Sequence, residues 1–142
     1  MIKIRKYQEK DKKSVKKLIN SVLVEIFKKE GSLLEDLDNI QKNYSLFLVA
    51  EDNKKIVGTV ALKNEGEGVG KLRRMYLQKE YRGRGIAQEL FNNVLNYARK
   101  EKFSKIILTT YPKMKAAIKF YKKNGFKLIK KENSALRFEK II

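Results

Sequence analysis

The stretch KLRRMYLQKEYRGRGIAQELFNNVLNYA, residues 71–98, reads as strand, turn and helix. An apolar-rich strand carrying Leu72, Met75, Tyr76 and Leu77 runs into the basic turn Tyr81-Arg82-Gly83-Arg84-Gly85. The helix follows at once. Ile86, Leu90, Phe91, Val94, Leu95 and Ala98 recur at the 3.6-residue period and share one face.

Physical chemistry gives the turn a job. Gly83 and Gly85 lack a Cβ, so the backbone can bend sharply and approach a ligand closely. The first amides of the helix have no internal acceptor, and the helix dipole adds positive potential at the same end. Arg82 and Arg84 add two cations suited to diphosphate oxygens. Chemistry alone leaves two readings open: a pyrophosphate cradle, or a surface turn with glycines for geometry and arginines for solubility. Two nucleotide patterns weaken. No Gly-Lys-Ser/Thr follows Gly83, and Gln88 stands where a dinucleotide fingerprint needs its third glycine. The next strand, KIILTT at 105–110, ends without the acidic ribose partner.

Arg82-Gly83-Arg84-Gly85-Ile86-Ala87 matches Arg/Gln-x-x-Gly-x-Gly/Ala, and in this it resembles the acetyl-coenzyme A signature of the GNAT N-acetyltransferase superfamily. A second block, AIKFYKKNGF at 117–126, is similar to that family's later motif, with Ala117, Tyr121 and Gly125-Phe126 in register. The two blocks begin about 35 residues apart, in the family's order. The resemblance implies an α/β fold of α+β type: a single domain over residues 1–142. Its mixed, mostly antiparallel sheet would have about six to seven strands, a splayed parallel pair in the middle, and about four flanking helices. It implies acetyl-CoA as co-substrate and an amine as acceptor. The cofactor's diphosphate would sit on Arg82, Gly83, Arg84, Gly85, Ile86 and Ala87. Its arm would lie along Met75, Tyr76 and Leu77, whose backbone would hold the acetyl carbonyl. Tyr121 would be the general acid for the departing thiolate.

Composition narrows the chemistry. A chain of 142 residues with 42% apolar content can bury a real core. It has no cysteine and no histidine, so thiol nucleophiles, thiolate metal sites and the usual general base are excluded. No metal centre is expected, and transfer would proceed directly in a ternary complex. Proton movement falls to carboxylate, tyrosine, lysine, water or backbone. No apolar run reaches membrane length and the start carries no apolar leader, so a cytoplasmic setting is the expectation. The net charge of +18 leaves open contact with nucleic acid or the ribosome. That charge keeps two alternatives beside the enzyme: a basic nucleic-acid-binding module, and an acetyl-CoA sensor without catalysis.

The remaining pattern supplies the rest of the sheet. Residues 2–7 alternate as an edge or second-from-edge strand. Asp11 suits the N-cap of a helix with Val15, Leu18, Ile19, Val22, Leu23, Ile26 and Phe27 inward, ending near Gly31. Residues 33–43 suggest a short helix with Leu33, Leu34, Leu37 and Ile40 inward. Its Glu35, Asp36 and Asp38 are either a solvated face or a surface for a cationic amine. Residues 45–51 and 56–63 are strands joined by a hairpin at Asp52. Residues 65–70 are a glycine-rich loop, a plain hairpin or a mobile cover. Leu72 and Met75 are an odd number apart, so a β-bulge near Arg73 or Arg74 is needed to turn both inward. Pro112 suits the first turn of a helix bearing Met114, Ala117, Ile118 and Tyr121 on one face, closed by Asn124-Gly125. Residues 126–131 and 135–141 form a terminal hairpin.

Two positions depart from the resembled pattern. Lys71 stands where many relatives begin this strand with a glutamate base, leaving Glu51, Glu65, Glu67, a water chain or a neutral amine as candidates. Met114 replaces an asparagine near the cofactor's arm. The acceptor is a small-molecule, peptide or protein amine, and the free edge of the sheet could pair two copies into a homodimer.

Overall fold

A computed structural model describes residues 1–28 and 34–142. The elements follow in order: β1 (Ile2–Lys6), α1 (Lys12–Phe27), a 3-10 turn at Glu35–Asn39 running into α2 (Ile40–Asn43), β2 (Leu46–Asp52) and β3 (Lys55–Gly66). Then come β4 (Val69–Leu77), α3 (Ile86–Lys100), β5 (Lys105–Thr110), α4 (Lys115–Lys123), β6 (Lys127–Glu132) and β7 (Ala135–Ile141). The seven strands make one sheet in the order β1-β2-β3-β4-β5-β7-β6. Every neighbouring pair is antiparallel except β4 and β5. This is the mixed sheet with a central parallel pair that the sequence resemblance implies.

Each face of the sheet is covered because each helix has one apolar stripe. Val15, Leu18, Ile19, Val22 and Leu23 of α1 pack with Leu37 and Ile40 onto Phe47, Val49 and Ala61. On the opposite face Ile86, Leu90, Phe91, Val94 and Ala98 of α3 meet Leu48, Val60, Leu62, Leu72, Ile106, Leu108 and Phe138. β2, an unbroken apolar run, is buried from Leu46 to Ala50 and feeds both cores.

The central pair is joined over a short length only. Val69, Gly70 and Lys71 pair with Lys105, Ile106 and Ile107, and there the ladder stops. β5 stays bonded to β7 through Thr110, so it is β4 that leaves. The cause is a β-bulge. Thr59 faces Tyr76 and Ala61 faces Arg73, so Arg74 and Met75 together oppose Val60. Arg74 takes a left-handed φ of 53°, and the Thr59 hydroxyl donates to its carbonyl oxygen at 2.7 Å. The extra residue puts Leu72 and Met75 against the α3 core, while Tyr76 packs with the α1 core.

Several local expectations are corrected. Asp11 precedes α1 without capping it. Its carboxylate takes two hydrogen bonds from the Arg5 guanidinium (2.8 and 2.9 Å) and one from the Gln8 amide. Pro112 lies in a turn, and α4 starts three residues later because the Met114 amide bonds back to the Tyr111 carbonyl. Of the two readings of the glycine-rich loop the plain hairpin holds: β3 runs to Gly66 and β4 resumes at Val69. The α1 stripe ends at Phe27, with Lys28 left-handed at φ 54°. The expected stop at Gly31 and the inward Leu33 lie outside the described residues. No helix among the described residues is long and apolar enough to cross a membrane.

Candidate functional site

Where β4 leaves β5, two clefts open side by side. The first, about 520 Å³, is lined by Leu23 and Phe27 of α1, by β4 from Lys71 to Tyr76, by the end of β5, and by Tyr111, Met114 and Tyr121. The second, about 450 Å³ and mostly apolar, runs from Met75, Tyr76 and Leu77 between α1 and the start of α4 to Arg82, Gly83 and Ala87. Met75, Tyr76, Met114 and Tyr121 line both, so the clefts meet at those four side chains. Beyond Lys71, the edge of β4 turned toward β5 has no strand against it as far as Leu77.

The far end of the second cleft is the glycine turn. Gly83 and Gly85 hold φ of +78° and +80°, and a Cβ built on either would meet nothing within 4 Å. The space above the turn is therefore open, and only residues without a Cβ sit there unstrained. Gly85 precedes α3, no side chain caps the helix, and the first amide bonded back is Glu89 N–H to Gly85 O (3.1 Å). The amides of Ile86, Ala87 and Gln88 thus have no acceptor within the helix. This corner fits a diphosphate.

Both arginines of the turn have partners within the chain, and Arg82 also lines the second cleft. Arg82 donates to both oxygens of Glu25 on α1 (2.7 and 2.9 Å) and, through Nε, to the Leu77 carbonyl (3.0 Å). Arg84 lies over the Tyr81 ring, 5.0 Å from its centroid. Both side chains brace the turn against its neighbours. The sequence reading missed Lys113 and Lys115, which stand across the cleft from Gly83 at the start of α4. α3 and β5 separate them from the glycine turn along the chain, so no local pattern signalled them.

Tyr121 sits where the clefts meet. Its ring packs edge-on to Phe120 and Phe126 (centroids 5.9 and 5.7 Å), and it is buried. α4 is held to α3 by a reciprocal amide pair: Gln88 Nε2 donates to Asn124 Oδ1 (2.8 Å) and Asn124 Nδ2 to Gln88 Oε1 (3.2 Å). Among the described residues its phenol has no hydrogen-bond partner, so the group is free for a ligand. Burial, with a smaller contribution from Tyr76, pushes its pKa above the ordinary tyrosine range, so it carries its proton at neutral pH.

No carboxylate lines either cleft among the described residues. Glu51 is engaged by Arg5 at 2.9 Å, on the far side of the sheet's centre. Glu65 and Glu67 are exposed in the β3–β4 hairpin. Two of the three acids of the patch are engaged internally, while Glu35 is exposed. Asp36 accepts from Arg74 (2.6 and 3.0 Å) and from the Tyr44 hydroxyl, and Asp38 pairs with Lys16. Lys71 itself faces the first cleft. At Met114 the sulfur meets the Thr110 hydroxyl at 3.5 Å, where the resembled family often has an amide.

The sequence model of the Acetyltransferase (GNAT) family matches residues 13–126. N-acetylaspartate synthetase of Xenopus tropicalis is 40% identical over 104 residues, which are 69% of this chain and 38% of that protein. The chain thus spans well under half the length of that relative. An acetyltransferase of the GNAT family from Staphylococcus aureus superposes with a TM-score of 0.92 at 26% identity, covering 99% of each chain. The PaiA N-acetyltransferase of Thermoplasma acidophilum, solved with coenzyme A, has a TM-score of 0.84 at 22% identity over 100% of this chain and 99% of its own. That last likeness is one of fold.

Proposed function

The chain belongs to the GNAT acetyltransferase family, and from that premise we propose that it is an N-acetyltransferase moving an acetyl group from acetyl-CoA to a primary amine. One observation carries the reading: a single channel has open, uncapped amides at Gly83–Gln88 at one end and the unpartnered Tyr121 phenol at the other.

Acetyl-CoA would supply an activated acyl thioester, and the residues supply position and charge. The amides after Gly83, with Lys113 and Lys115, would hold the diphosphate. Met75, Tyr76 and Leu77 would hold the arm, on the strand edge that β5 leaves bare, with backbone donors for the developing oxyanion. Tyr121, neutral and buried, would give its proton to the sulfur as the C–S bond breaks. The amine nitrogen enters through the first cleft, forms the new C–N bond, and loses a proton. No carboxylate among the described residues lines that cleft, so the proton would leave through water or the amine would arrive neutral. The catalytic sequence is direct, since the chain has no cysteine to carry the acyl group. A cytoplasmic setting and a homodimer paired along β6, exposed over its whole length, belong to the same proposal.

That no carboxylate among the described residues lines the clefts favours one rival, a cofactor sensor without turnover. Thiol release from acetyl-CoA, followed by a disulfide chromogen over a panel of primary amines, separates the two. Amine-dependent release supports the enzyme. Binding of acetyl-CoA with no amine-dependent release supports the sensor, and no binding at all rejects both.

A further inference from the structure

On the acceptor side the first cleft has a cationic wall. Lys71, Arg73 and Arg74 all line it, and no carboxylate among the described residues does. Arg74 is neutralised by Asp36. Arg73 shares the field of that one carboxylate and lines an adjoining pocket with Glu35 and Asp36, so the uncompensated charge is greatest at Lys71. Arg73 gives one hydrogen bond to the Tyr44 hydroxyl (3.1 Å), and Lys71 has no ion pair among the described residues.

The neighbours of Lys71 deepen the imbalance. Lys63 lies directly across from it on β3, a like-charge pair that strands ordinarily avoid. Arg137 approaches from β7, opposite Thr109 of β5. Burial holds the Lys71 ammonium below the ordinary lysine range. Arg73, Lys63 and Arg137 push the same way, and Glu65 alone opposes. Glu139, the one acid of β7, is turned to Lys105 at 3.6 Å. Scattered surface lysines are a general property of so basic a chain, but these two cations are half-buried and both line the first cleft, Arg73 also bordering the pocket of Glu35 and Asp36. A bound anion would relieve their repulsion. A second cation would add to it.

We infer that the acceptor is an amine that also bears a carboxylate, held with its carboxylate on Lys71 and Arg73 and its nitrogen toward the meeting point at Met75 and Tyr121. The two roles need separate ends of one small molecule, and the cleft offers both. The inference rests on the acetyl-transfer reading above and narrows it to a substrate class.

The test compares matched acceptors: glycine, β-alanine and L-aspartate, each against its amide, with spermidine as a cationic amine. Thiol release gives kcat/KM, and calorimetry with acetyl-CoA runs in parallel on every variant. The expected result is at least tenfold preference for a carboxylated acceptor over its amide, with spermidine poorest. Lys71→Met and Arg73→Gln should each lower kcat/KM for that acceptor by roughly tenfold to a hundredfold, mainly through KM. The same variants should leave the amide within threefold and acetyl-CoA binding intact. Preference for amides or spermidine overturns the inference, as does a carboxylate preference that survives both substitutions. Acetyl-CoA binding with no carboxylated acceptor turned over also counts against it. Loss of acetyl-CoA binding in the unmodified protein would instead remove the reading beneath.

Discussion

Arg82 and Glu25 join the glycine turn to α1 through two parallel hydrogen bonds, 2.7 and 2.9 Å long. The pair fixes the turn to α1 along the wall of the second cleft, which Arg82 and Gly83 both line. Over a third of each side chain is exposed, so the pair contributes at most about 1 kcal/mol. Glu25→Gln should therefore weaken acetyl-CoA binding by no more than about fivefold. Arg82→Ala, which also loses the bond to the Leu77 carbonyl, should cost more. Titration calorimetry at low salt checks the order.

Gly83→Ala and Gly85→Ala should lower acetyl-CoA affinity at least tenfold. Each methyl enters space that the diphosphate needs, and each backbone is left-handed, which costs an L residue about 1–2 kcal/mol. Gly66→Ala is the control. Its φ is +91° and its surroundings are equally open, but it sits in the β3–β4 hairpin. All three should lose similar thermal stability, and only the first two should lose affinity.

Tyr121→Phe should reduce kcat by about a hundredfold while the Kd for acetyl-CoA stays within twofold, because only a proton donor is removed. The phenol's pKa is raised, so its loss of a proton should not limit kcat anywhere below the ordinary tyrosine range. A pH–rate profile of the unmodified enzyme checks this: an alkaline decline below that range must come from another group.

Asp36 gives the stability prediction. Burial would raise its pKa, but hydrogen bonds from Arg74 and Tyr44 outweigh that and hold the carboxyl below its ordinary range. A depressed acid stabilises the fold above its unfolded value, near 4, and that contribution fades as pH falls through the folded value. Urea unfolding should show stability dropping below about pH 4. Asp36→Asn should cost about 1.5–3 kcal/mol at pH 7 by removing the carboxylate to which Arg74 and the Tyr44 hydroxyl donate, and should flatten that acid slope.

The sequence carried the frame because periodicity and turn chemistry are local. The α3 stripe, the hairpin at Asp52 and the bulge demanded by Leu72 and Met75 could all be read from neighbouring residues. What escaped was set by partners far along the chain. Asp11 looks like a helix cap until Arg5 folds over it, and Asp36 looks like a solvated acid until β4 brings Arg74 to it. Arg82 meets Glu25 on α1, a partner 57 residues away that no local pattern announces. Pro112 has the chemistry of a helix start, but the bond from Met114 to Tyr111 spends those residues on a turn.

The central claim is that one channel runs from the amides after Gly83 to the phenol of Tyr121. Amide chemical-shift mapping of the isotopically labelled protein, titrated with coenzyme A, reads it residue by residue. The account predicts the largest shifts at Gly83 to Gln88 and at Met75 to Leu77, with Tyr121 and Lys115 also moving. Saturable binding that leaves those amides unmoved, and shifts another surface instead, would contradict it.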